Sequence, residues 1–174
     1  MMLFMVVDDV GGFVIGVELL ALDLSERYID AAEAPLVSGS LAGLAATSKV
    51  LRDIADGRRA DAAETIRMMG ETHGSLRLLL MVSEEIEPDG KAGDRVDSML
   101  ADSSKRAAAW ADCVPRGGLM DRALILFASA SALCMAVMRG DLPMARSLAE
   151  LVEKNSSHVL ESIGDKTSVD RVAN

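Results

Sequence analysis

The sequence predicts an all-α protein: a single-domain bundle of six or seven helices, one of them buried at the centre, with no substantial sheet. Three observations carry that expectation. Half of the 174 residues are hydrophobic yet only 3% are aromatic, so alanine, leucine, valine and methionine must build the core. Such side chains suit closely approaching helices better than strands, which prefer β-branched and aromatic residues. Apolar residues recur at steps of three and four along most of the chain, the signature of a helix with one buried face. Stretches rich in glycine, proline and charge cut the chain into pieces of helical length.

The first piece is the most apolar. Leu3, Val7, Val10, Val14, Val17, Ala21, Leu24, Tyr28 and Ala31 follow one another at alternating steps of four and three, a heptad seam of four repeats. Asp9, Glu18, Asp23, Glu26 and Asp30 fall off this seam. Gly11, Gly12 and Gly16 cost a helix about 3 kcal/mol of propensity, which packing has to offset. The alternative is a short N-terminal β-hairpin, LFMVV and FVIGV around the turn DDVGG. A lone hairpin is marginal, and no third strand follows it. A secretory signal needs a basic start, and the first basic residue is Arg27. A transmembrane span would carry Asp8, Asp9, Glu18 and Asp23, each costing ~2.5–3.5 kcal/mol near the bilayer centre. No span is therefore expected, although a peripheral membrane contact stays compatible with the pattern. The seam is expected to be covered by protein.

Pro35 and Ser38-Gly39-Ser40 are expected to end this element, with Ser40 capping the next helix and Asp56-Gly57 closing it. A third helix starts near Arg59, and GETHG (70–74) interrupts it before a segment capped by Ser75. EIEPDGKAGD (85–94) is the clearest loop. A helix follows with Val96, Met99, Leu100, Ala107 and Trp110 inward, and VPRGG breaks it. LMDRALILFASASALCMAVM (119–138) is apolar on all sides after Arg122. It is too short for a comfortable span and suits the central buried helix. Asp141 caps the last helix, Pro143 lies in its first turn, and Gly164 is expected to stop it. Residues 1–164 thus form the bundle and 165–174 a polar, frayed tail.

Two stretches echo each other. IADGRRADAAETI and VMRGDLPMARSLA both end a helix at a glycine and open the next with an alanine five residues on, Gly57 with Ala62 and Gly140 with Ala145. The copies are about eighty residues apart, which suits two αα-hairpins of generic design better than a repeat array.

Composition excludes several functions. The net charge of −9, from 27 acids and 18 bases, repels phosphate backbones. Arg58, Arg59 and Arg67 cluster only weakly and without aromatics, so no nucleic-acid binding is expected. Glu85, Glu87 and Asp89 imitate the start of a calcium loop, but Val96 stands where a closing glutamate is needed. Neither His73 nor His158 has a glutamate three residues before it, as a di-iron bundle requires. No metal and no cofactor is expected. His73, in GETHG, is the one candidate base and reads as a surface histidine at a helix start. Cys113 and Cys134 both lie in apolar surroundings and read as free, buried thiols of a reducing cytoplasm. Arginine outnumbers lysine, as GC-rich bacterial genomes favour.

The leading expectation is a non-catalytic, acidic protein that works by helix packing: a homo-oligomer, subunit, adaptor, chaperone or immunity-type partner. Leu3, Val7, Val10, Val14 and Val17 would bury against a copy of itself or another chain. The second expectation is a ligand-sensing bundle whose apolar pocket draws on Met81, Met120, Met135, Met138 and Met144, part of a surplus of eleven methionines. Its partner would be a small apolar molecule.

Overall fold

The computed structural model describes residues 34–88 and 108–172 throughout (165–172 by backbone alone), with positions 12, 15, 19, 94, 97, 98, 101 and 105. Helix dominates, and no strand occurs among the described residues. Gly12, Ile15 and Leu19 are helical, whereas the hairpin alternative would put Ile15 in a strand. None of these three belongs to the N-terminal seam, whose members, Leu3, Val7, Val10, Val14 and Val17 included, all lie outside the described residues.

Four long helices carry the fold: α1 (Ala34–Ala55), α2 (Arg59–Val82), α3 (Leu119–Met138) and α4 (Leu142–Val172). With the helical stretch 108–113 they make five among the described residues, against six or seven expected. One reason is that GETHG does not interrupt α2. Gly70 and Gly74 cost the helix about 1 kcal/mol each, but Met69, His73, Leu76 and Leu80 bury on its inner face and hold it straight through. Boundaries shift elsewhere too. Pro35 stands in the first turn of α1, where a missing N–H costs nothing. Ser40 is therefore not a cap but a core residue, its hydroxyl donating to the Val37 carbonyl at 2.9 Å. Thr47 and Ser48 donate likewise to the Leu44 carbonyl, at 2.9 and 2.8 Å. Gly164 does not stop α4, which continues to Val172.

The helices form a ring in the order α1, α2, α4, α3. Each packs on two neighbours, and α1 makes no close approach to α4, nor α2 to α3. The expected central helix, α3, occupies a corner of this ring rather than its axis. Leu126, Phe127, Ala130, Leu133, Cys134 and Val137 are buried, but Ile125 is 49% exposed. Among the four long helices, α3 packs on α1 and α4. By length and composition α3 could cross a membrane, yet 56% of its apolar window is buried inside the protein.

Both hairpins close with the same turn. At the end of α1, the Gly57 N–H donates to Ile54 O at 3.1 Å and the Arg58 N–H to Asp53 O at 2.7 Å. At the end of α3, Gly140 donates to Val137 O at 3.1 Å and Asp141 to Ala136 O at 2.9 Å. These are glycine-ended helix stops, with φ of +78° at Gly57 and +70° at Gly140. Ala62 and Ala145, five residues beyond the glycines, are wholly buried where the paired helices touch. The Asp141 carboxylate accepts from the Met144 N–H at 3.1 Å, the cap expected of it.

The two hairpins are also tied to each other. Arg146 of α4 donates from Nε to Leu80 O at 2.8 Å and from Nη2 to Ser83 O at 2.8 Å, satisfying carbonyls at the end of α2. Beyond it, Ile86 is buried and its carbonyl lies against Gly140.

Candidate functional site

Small residues recur on one side of α1: Gly39, Ala42, Gly43 and Ala46. Across from them α2 presents Met68, Met69, Thr72 and His73, and between the two helices lies an open groove of about 520 Å³. Its floor is low because the α1 side chains are short. A methyl group added at Gly43 would meet nothing within 4 Å, whereas one at Gly39 would press on Leu76 at 3.2 Å. The groove thus narrows toward Gly39 and is open at Gly43.

Charge gathers at one end. Lys49 donates to Asp53 at 2.7 Å and to the Thr65 hydroxyl at 3.2 Å. Asp53 is buried and also accepts from Arg58, Nε at 3.1 Å and Nη2 at 2.7 Å. Burial pushes its carboxyl upward, but the hydrogen bonds from Lys49 and Arg58 outweigh that and hold it below the ordinary carboxylate value. The same contact with Asp53 raises the Arg58 guanidinium. This network locks the end of α1 to the start of α2, and it is structural.

His73 sits at the back of the groove and is buried, not on the surface at a helix start as expected, because α2 is continuous there. Its Nε2 lies 2.7 Å from the Ala149 carbonyl of α4. A carbonyl only accepts, so Nε2 carries the proton and donates it. Burial lowers the imidazole below its ordinary value, against the Ala149 bond and Glu153, which favour the charged form, and with Arg77, which opposes it. Arg77 and Glu153 pair beside it across the α2–α4 interface. That proton is committed to holding two helices together. Among the described residues no three His, Cys, Asp or Glu side chains converge as metal ligands would.

A second cleft of about 580 Å³ lies on the outward face of α3, between Leu124, Ile125, Ala128, Ser131 and Met135 and the side chains of Asp97, Ala101, Ala108 and Ala111. The Ser131 hydroxyl at its base is shielded from solvent and has no hydrogen-bond partner.

The five methionines singled out in the sequence do not converge. Met81 and Met144 are 66% and 51% exposed, Met138 is buried, and Met120 and Met135 are partly buried against the core. Of these only Met135 lines a cleft described here. The α1–α2 groove uses Met68 and Met69 instead, on a floor of glycine and alanine that methionine counting overlooks. The signal was the small-residue step 39, 42, 43, 46. Cys134 is buried as expected, and burial pushes its thiol up to about 12 in spite of a hydrogen bond with Ser40. Cys113 is exposed, since it ends a helical stretch on the protein's surface.

The chain matches no protein-family model, no curated protein and no solved structure.

Proposed function

We propose that this chain is a non-catalytic assembly protein, and that it associates through its apolar N-terminal seam, with the α1–α2 groove as the receiving surface. The observation that carries the reading is a contrast between the two hairpins. Where α3 bears Arg122, Leu126 and Ser129, the same turns of α1 bear Gly39, Gly43 and Ala46. In the second hairpin those side chains fill the space: Leu126 is fully buried, Ser129 accepts from Asn155 at 3.2 Å, and Arg122 reaches Ser162 at 2.6 Å. In the first hairpin the space stays open.

The groove also runs on into uncovered apolar surface. Met68, Thr72, Leu79 and Val82 share one side of α2, and Met68, Leu78, Met81 and Val82 are each about two-thirds exposed or more. A groove with anchors at helical spacing suits an apolar helix. The seam of Leu3, Val7, Val10, Val14 and Val17 repeats at the same step, which makes a second copy of this chain the occupant. Burying five such side chains is worth about 8–15 kcal/mol gross, before the cost of association.

Mass in solution tests this. The wild-type chain should be larger than a monomer, and Val10→Asp/Val14→Asp should be a folded monomer. A wild type that is monomeric at every concentration removes the reading.

A second reading rests on the size of the groove, since about 520 Å³ with an apolar floor also suits a small apolar ligand. A thermal-shift response to fatty acids by a monomeric wild type would favour it. Cytoplasmic residence accords with both.

A further inference from the structure

Among the described residues that line the α1–α2 groove, His73 is the one buried polar side chain, 7% exposed at the back. Its Nε2 is engaged by the Ala149 carbonyl of α4 at 2.7 Å, so in the neutral ring the lone pair remains on Nδ1. The charged pair beside it, Arg77 and Glu153, lines a separate gap toward α4 and not the groove. Nε2 and both charges thus lie on the α4 side, which leaves Nδ1 as the polar atom the ring offers to the groove. Burial holds the imidazole below its ordinary value, so that lone pair stays free at pH 7. A desolvated acceptor in an apolar groove penalises any ligand that covers it without donating to it.

The remaining charges of the lining add a second constraint. Lys49 is the one cation among the described lining residues, and it is already bonded to Asp53 and Thr65. Asp61 and Glu64 stand at the same charged end, with side chains 60% and 65% exposed. Their partners Arg58 and Arg67, at 3.6 and 3.5 Å, do not line the groove. An entering carboxylate therefore meets two carboxylates and no uncommitted cation in the described lining. The hydroxyls of Thr65 and Thr72 can donate or accept and favour neither kind of head group. Glu64 and His73 are nine residues apart on α2, about 13 Å along its axis, with Met68 and Met69 between them.

We infer that the groove takes a small apolar molecule with a neutral hydrogen-bond donor such as a hydroxyl, held by donation to His73 Nδ1, and that it discriminates against carboxylates. The inference rests on the small-ligand reading of the groove and fixes the head group, which that reading leaves open.

The test uses the full chain at pH 7 with three probes: octan-1-ol, its isomer 1-methoxyheptane, which has no donor, and octanoate. Calorimetry gives the affinities, and the imidazole nitrogen NMR resonances give the contact, with His158, the only other histidine, as internal reference. Octan-1-ol should bind about tenfold more tightly than either of the others, the worth of one hydrogen bond to a buried acceptor. The unprotonated nitrogen of His73 should move upfield as it accepts, and His158 should not follow. Gly43→Leu, which fills the floor where an added methyl group meets nothing within 4 Å, should abolish binding. Undiminished binding to Gly43→Leu places the probe elsewhere and overturns the inference. Equal affinity for alcohol and ether, tightest binding of octanoate, or a His73 nitrogen unmoved at saturation overturns it too, and leaves the small-ligand reading standing. Failure of all three probes to bind removes both.

Discussion

Gly57 and Gly140 end their helices with the same backbone geometry but stand in different surroundings. A methyl group on Gly57 would meet open space, while one on Gly140 would lie 2.5 Å from the Ile86 carbonyl and 3.2 Å from Pro88 Cδ. Gly57→Ala should therefore cost only the left-handed backbone penalty, about 1–2 kcal/mol. Gly140→Ala should cost distinctly more, about 3 kcal/mol or above, as the linker is pushed off the turn. Denaturant unfolding of the two variants measures the difference, and equal losses would mean that the linker does not bear on the turn. Both glycines were legible in the sequence as helix stops, because only the local chain decides a turn. The crowding at Gly140 was not legible, since Ile86 reaches it from over fifty residues away. His73 failed for the same kind of reason: its burial depends on Ala149 of another helix, and GETHG taken alone reads as surface.

At the scale of elements, helix periodicity and the two capping turns carried most of the fold. The misses lay where a weak local preference met strong packing. Gly70 and Gly74 lower helix propensity, but the buried inner face of α2 overrides them. Nothing lies within 4 Å of a methyl group added at either position. Gly70→Ala and Gly74→Ala should each stabilise the protein by about 0.5–1 kcal/mol, raising the denaturant midpoint without changing the slope. A loss of stability would show that α2 needs freedom there. The groove was harder to read than the helices. A glycine–alanine stripe on α1 predicts close packing as readily as an open floor, and only the length of the facing side chains decides between them.

For the whole molecule, pH dependence follows from two buried groups. The imidazole of His73 is lowered in the fold, so the unfolded chain takes up its proton first as pH falls below about 6.5. Stability from this group is complete above that value and is lost as pH falls through the folded value. Asp53 is lowered too, and its contribution is held above about 3.8 and lost only as pH falls through its own folded value. Acid should thus weaken the α2–α4 contact before the α1–α2 turn. His73→Gln keeps a donor for Ala149 and should lose less stability than the wild type between pH 7 and 5. Equal losses in denaturant titrations at both pH values would show that His73 does not set the first step. The falling net negative charge acts on both proteins alike and drops out of the comparison.

The two cysteines sit on opposite sides of the solvent boundary, one at the surface and one sealed between α1 and α3 with its proton firmly held. An oxidant or alkylating metabolite therefore meets one sulfur in every molecule and the other only in those that have momentarily come apart. Damage recorded at Cys134 would be a count of openings, kept by the protein's own chemistry, while damage at Cys113 records exposure time alone.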